Sequence, residues 1–293
     1  MHNNNKSVNT VRLAWGMLAV MVLALVVSPA LKAAENPLVV GIFPRRNATQ
    51  TMRLFQPLVA HLEAQLQRQV RLVTAKDFPS FWQGVENGSF DLVHYNQYHY
   101  IKSSAEYQVI AHNKEFGRST VAGALYVRKD SGITAIEQLR GHQVVFGGGE
   151  DAMMSYILPR YLLQQAGLGP DDYRWRFASN PPNVLLALYY QQTDASGGGD
   201  ILKDIPLVKQ QIDTEQLVHL ATTEQLLHLP WAVKRSMPES LKQLIQQQLV
   251  SLEQSEAGRD ILRQAKMSGI GAAVDQDYAR HREIIAAVQA GRE

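Results

Sequence analysis

Two hydrophobic periods alternate along this chain. Residues 38–42 form a short continuous apolar run, and from Met52 onward Phe55, Leu58, Val59, Leu62 and Leu66 recur at helical spacing. Residues 70–74 read as a second strand and 81–87 as a second helix, and Asn87-Gly88 turns the chain into a third strand over 90–95. This βαβαβ order predicts an open α/β sheet with its ligand at the carboxyl ends of the strands. A second series follows, with strands at 121–127, 144–146 and 173–177, helices at 155–165 and 184–190, a glycine-rich stretch at 197–199 and a strand at 218–221. The tail is helical, with Pro238 suiting the first turn of a helix that runs to residue 252, and further helices near 258–267 and 277–288.

Two α/β lobes account for this order more economically than one sheet. The crossings between them fall at 116–122 and 222–233, so the expected first lobe is discontinuous, 35–119 with 228–293, around a second lobe of 120–227. Residues 1–34 stand apart. His2, Lys6 and Arg12 precede an apolar stretch over 13–27 and a small-residue segment, the pattern of a cleavable secretory signal peptide. The apolar stretch is shorter than the roughly 20 residues of a membrane-spanning helix.

Charge and composition narrow the picture further. Cysteine is absent, which excludes a disulfide framework and lipid attachment at an N-terminal cysteine, and fits a free monomer in the periplasm. Without residues 1–34 the 29 basic residues lose Lys6, Arg12 and Lys32 and face 27 acids, so the basic balance of the whole chain belongs to the leader. No basic footprint for nucleic acid remains. No cysteine nucleophile, Gly-x-Ser-x-Gly elbow, His-Glu-x-x-His helix or phosphate-binding Walker loop is present, so the chain reads as a binding protein rather than an enzyme, with no cofactor and no metal.

The candidate ligand contacts lie after strands. Arg45, beside Arg46, follows the first strand, where a planar guanidinium can clamp a carboxylate or sulfonate. Thr49 is a candidate helix cap. Residues 94–100 are rich in polar aromatics, of which Tyr95 and Tyr100 offer a ring with a hydroxyl, while His94 and His99 read as structural. Gly147 to Gly149 and Gly197 to Gly199 read as two loops of one lobe, each followed by acid. Asp151 and Asp200 either cap the helices that follow or hold an ammonium group against Phe78, Tyr95 or Trp231.

The succession Val40-Gly41-Ile42-Phe43-Pro44, Phe55 to Leu58 with Pro57, Gly88 with Asp91, Tyr100, the 127–132 turn, the 139–146 strand entry, Pro159 and Asp277-Tyr278 resembles the phosphate, phosphite and phosphonate-binding proteins of ABC importers. The resemblance spans nearly all of the chain after the leader. It implies a two-lobed periplasmic binding fold of type II that closes on a small molecule, with an ABC permease as partner. The ligand positions depart from the family. Its glycine loop opens a helix with Ser-Thr-Ser-Gly, where this chain has Ala152, Met153, Met154 and Ser155. A family histidine falls at Pro181, an aromatic hinge position at Val121, a carboxylate at Leu229, and a tyrosine at Phe78. Each donor lost toward a charged oxygen removes roughly 1.5–3 kcal/mol, so the expected ligand is partly apolar and is not a simple phosphonate. A ligand-sensing partner of a membrane receptor, such as a histidine kinase or cyclic-dinucleotide enzyme, is the alternative use of the same trap.

Overall fold

A computed structural model describes residues 36–178 and 182–291. The signal peptide and Pro181 lie outside the described residues. In chain order the first part runs β1 (Leu38–Ile42), α1 (Ala48–Leu66), β2 (Val70–Val73), α2 (Phe78–Glu86), β3 (Leu92–His94), α3 (Gln97–Ser103), β4 (Tyr107–Lys114) and β5 (Thr120–Val121). The middle runs β6 (Gly123–Arg128), β7 (Gln143–Gly147), a π-helical turn (Met153–Ile157) continuous with α4 (Leu158–Gln165), β8 (Arg174–Ala178), α5 (Pro182–Tyr189), β9 (Ala195–Gly199), α6 (Pro206–Lys209) and β10 (Leu217–Thr222). The last part runs β11 (Leu226–Leu227), β12 (Pro230–Lys234), α7 (Glu239–Val250), α8 (Glu256–Gln264), β13 (Gly269–Ala272) and α9 (Ala279–Ala290).

These strands build a six-stranded sheet of order β13-β4-β12-β3-β1-β2, a five-stranded sheet of order β10-β6-β9-β7-β8, and the small pair β11-β5. Each large sheet is the centre of one lobe. Strands β1, β2 and β3 are parallel, as are β7, β8 and β9. Both faces of each sheet are covered, which is why their strands read as apolar runs. Along β1, Leu38, Val40 and Ile42 join one core cluster while Val39 packs against another, and in the second sheet Val144 and Phe146 oppose Val145 in the same way.

The sequence reading misses β4, β12 and α3. Strands β4 and β12 sit inside the first sheet, with β12 hydrogen-bonded between β3 and β4. The helix cap at α1 is Asn47, whose side chain accepts from the Gln50 backbone at 2.9 Å, and Thr49 lies within the first turn. Gly197 to Gly199 are the end of strand β9 rather than a loop. A Cβ on Gly197 would meet Phe146 at 2.6 Å and Pro159 at 2.8 Å, and one on Gly198 would meet Leu202 at 2.7 Å. The glycines therefore let side chains from both faces press on the strand. The last helix, expected with the first lobe, packs Ile284, Ile285 and Val288 into the core of the five-stranded sheet.

Gly123 shows how tight this packing is, because a Cβ there would lie 2.2 Å from Leu158 Cβ and 3.2 Å from its backbone. Gly123→Ala is expected to lower the unfolding free energy by about 1–3 kcal/mol through overpacking at the start of α4, measured by urea unfolding. A wild-type midpoint would contradict this close contact.

Candidate functional site

Residues that follow the carboxyl ends of β3 and β4 in one sheet meet residues that follow β7 and β9 in the other. Asn96, after β3, donates from Nδ2 to the backbone oxygen of Asp151, after β7, at 3.1 Å. His99 Nε2 lies 3.1 Å from the Asp151 carboxylate. Arg118, in the first crossing, reaches Asp200, after β9, at 2.5 Å. The crossings pair as β5 and β11, with Val121 opposite Leu226. A crevice bounded by two sets of strand ends is where an open α/β sheet binds its ligand.

The first-lobe wall centres on Glu115. Its carboxylate accepts from Arg45 at 2.5 and 3.5 Å and from Asn113 Nδ2 at 3.4 Å, and His228 Nε2 stands 3.8 Å away. Burial opposes its charge, but Arg45 and His228 outweigh that and hold its pKa down at about 2. The Glu115 charge in turn raises the pKa of Arg45. Asn113 also receives Trp231 Nε1–H at 2.9 Å on its oxygen and approaches His94 Nε2 at 3.3 Å. His94 Nδ1 donates to the Pro230 carbonyl at 3.0 Å, and its ring stacks on Trp231 with centroids 4.3 Å apart. Burial lowers the pKa of His94 to about 3 and that of His228 to about 4, so both are neutral at pH 7.

Arg46 lines the same recess with Arg45, Phe43, Thr51 and Phe55. Its guanidinium has no hydrogen-bond acceptor among the described residues, and burial followed by the Arg45 charge lowers its pKa. Phe78, 37 % exposed, meets Phe43 edge-on at 6.0 Å and extends an aromatic wall from this recess. Arg45, Arg46 and Phe78 are thus brought to one wall.

The second-lobe wall differs from the sequence expectation in its detail. Ser155 is buried and donates to the Gly147 carbonyl at 2.5 Å, so its hydroxyl is consumed inside the loop. Met153 is buried in the second core, and Met154 packs against that core near Gly199. Gly148 takes φ +82°, the one left-handed turn that the loop requires. Asp151 and Asp200 cap no helix. Asp151 is paired with His99, which lowers its pKa through their hydrogen bond. Asp200 Oδ2 accepts from Arg118 and from Gln225 at 3.0 Å, and Oδ1 accepts from the Ala122 backbone at 3.2 Å.

Tyr95 and Tyr100 are placed in the core of the first lobe. Tyr95 is fully buried with its hydroxyl 2.9 Å from Ser103 Oγ, and Tyr100 is buried with its hydroxyl donating to Asp275. Trp231 is buried too, so neither it nor Tyr95 stacks on a ligand from this position. Sequence reasoning missed Glu115, Asn113, Asn96 and His228. Glu115 directly follows Lys114, the last residue of β4, so recognising that strand would have placed it at a carboxyl end.

The two open sheets, the paired crossings and the crevice define a two-lobed periplasmic binding protein of type II. The family described as the phosphonate periplasmic substrate-binding protein of ABC transporters matches residues 40–278, and the chain belongs to it. The family is periplasmic, serves an ABC permease, and consists of binding proteins rather than enzymes. Among solved structures, a Xanthomonas citri protein bound to ATP is 16% identical with a TM-score of 0.75, over 87% of this chain and 98% of its own. A Prochlorococcus marinus protein in complex with methylphosphonate is 17% identical with a TM-score of 0.71, over 86% and 98%. The aliphatic sulphonate binding protein of Escherichia coli is 15% identical with a TM-score of 0.60, over 87% of each chain.

The buried histidines carry a stability consequence. His94 and His228 hold folded pKa values of about 3 and 4, below the ordinary 6.5, so the unfolded chain binds more protons as pH falls from 6.5. Their contribution is complete above pH 6.5 and is lost progressively down to about pH 3–4. His94→Gln is expected to flatten the fall in melting temperature between pH 6.5 and 4, followed by circular dichroism. A slope equal to that of the wild type would contradict the neutral buried state of His94.

Proposed function

We propose that this chain captures a small, partly apolar organic solute other than a simple phosphonate, and delivers it from the periplasm to an ABC importer. The observation that carries this reading is the state of the 147–155 loop. Its hydroxyl, on Ser155, is already bonded to Gly147, and Met153 and Met154 stand where the family resemblance calls for further hydroxyls. A tetrahedral oxyanion would find few side-chain donors there, and Glu150 and Asp151 would repel it. The first-lobe wall supplies what an organic acid needs instead. Arg46 offers a planar fork without an internal acceptor, while Phe43 and Phe78 offer apolar faces. The similar structures include one bound to ATP, one in complex with methylphosphonate and an aliphatic sulphonate binding protein, so the fold accommodates varied anions. Hinge closure about β5 and β11 would bring the two walls onto the solute.

We further propose that lobe 1 comprises 35–119 with 228–293 and lobe 2 comprises 120–227, that the last helix straps the first to the second, and that the leader is cleaved on export to release a monomer. A thermal-shift panel of methylphosphonate, phosphite, aliphatic sulfonates and organic carboxylates tests the ligand reading. A ligand at 100 times its Kd adds about 2.7 kcal/mol, a rise of several degrees. A sulfonate or carboxylate is expected to give such a rise, and Arg46→Ala to abolish it. A rise with micromolar methylphosphonate would overturn the proposal.

A further inference from the structure

Asp151 makes more contacts across the crevice than a ligand carboxylate needs. Its side chain pairs with His99 Nε2 at 3.1 Å, and its backbone oxygen accepts from Asn96 Nδ2, also at 3.1 Å. Both partners belong to the start of α3 in the other lobe. We propose that Asp151 is the latch of the closed crevice and that Asn96 and His99 are its preorganised receiver. This assigns Asp151 a positioning role in solute capture, in place of direct contact with the solute.

The receiver is built before Asp151 arrives. The Asn96 side chain caps α3 by accepting from the His99 backbone at 2.8 Å, which fixes the amide and leaves its Nδ2 to cross the crevice. The His99 side chain is 6% exposed, and its ring is held by Trp82 with centroids 4.9 Å apart and by Tyr98 edge-on at 5.7 Å. These contacts restrict both side chains, so less rotamer freedom is lost when the contact forms. Asp151 is different, because its side chain is 38% exposed and water can replace His99 as its partner. The contact thus joins a buried, held imidazole to a carboxylate that water also reaches, beside Tyr98 and Ile101 of α3, which pack against the core of the five-stranded sheet. Two charged ties also join the lobes, Arg280 on the last helix to Glu224 and Arg118 to Asp200, and the second belongs to the crossing itself. Asp200 also holds the Ala122 backbone beside β5, so that pair stays together as the lobes rotate. The acidic neighbour Glu150 lines the same pocket as Asp151 and adds repulsion toward any anion entering beside the latch.

The latch rests on the capture reading of the crevice, but it is tested without a solute, so an error in the ligand class leaves the outcome unaffected. The chain lacks cysteine, which permits spin labels at Gln65→Cys and Gln210→Cys, two exposed positions outside the crevice, one in each lobe. Pulsed electron spin resonance on the solute-free mature protein then reads the distance between the lobes. Asp151→Ala is expected to lower the ratio of short to long distances about tenfold. Asp151→Asn, which keeps an oxygen acceptor for the imidazole N–H, is expected to lower it less. Where Asp151→Ala fails to fold, His99→Gln gives the same reading from the receiver side. A wild-type distance distribution in the folded Asp151→Ala or His99→Gln protein, even with a lowered melting temperature, would overturn the latch and assign these residues a purely structural role.

Discussion

The arrangement of the crevice depends on how closely a helix approaches a sheet. Because Gly123 and Gly197 lack side chains, Leu158 and Pro159 rest directly on β6 and β9, with Phe146 filling the remaining space. The start of that helix is anchored from below and cannot shift toward solvent without opening the core. Pro159 lacks an N–H, and the preceding residues wind as a π turn over Met153–Ile157. That winding, together with the left-handed Gly148, turns Ser155 inward onto Gly147 and carries Asp151 out toward α3. A packing constraint at the bottom of the loop thus decides which side chains reach the top.

Charge is then distributed so that the crevice is largely neutralised from within. Glu115 is matched by Arg45 and Asp200 by Arg118, Asp151 has His99 Nε2 at 3.1 Å as its partner, and His94 and His228 are buried in neutral form. Buried polar groups need partners, and each pair satisfies one. An incoming solute gains little by competing for groups already paired at 2.5 to 3.1 Å. Arg46 stands apart from this scheme, with no acceptor for its guanidinium among the described residues and its pKa lowered by burial and then by the Arg45 charge. On the proposed reading the recess selects for one anionic group attached to an apolar body, and the proposed latch closes over it through contacts that do not involve the solute.

Much of this was legible in the sequence where burial and period agree. The βαβαβ opening, the long α1 stripe and the 144–165 strand, loop and helix follow from apolar spacing and punctuation, and the family resemblance from the succession of residues such as Val40 to Pro44, Pro159 and Asp277-Tyr278. Strand β4 was hidden because His112, Asn113 and Lys114 interrupt its apolar pattern, although His112 and Asn113 are buried and hydrogen-bonded. Helix α3 was hidden because it is seven residues long and begins among polar aromatics that look like a binding loop. The glycines of β9 suggested a loop, since glycine for close packing and glycine for a turn are identical in sequence. The site residues failed in the same way. Tyr95 and Tyr100 carry the chemistry of a ligand contact but lie under the strand ends, whereas Glu115 and Asn96 matter through partners distant in sequence.

On the proposed reading the family scaffold persists while its oxyanion chemistry is exchanged for an arginine recess and a latched loop. A crystal structure of the mature protein with the solute that it retains, or with the strongest hit of a ligand screen, tests this most directly. The solute's charged end is expected on Arg46, its apolar part against Phe43 and Phe78, and Ser155 still bonded to Gly147. A tetrahedral anion held by Ser155 and the backbone N–H groups of Met153 and Met154 would contradict it.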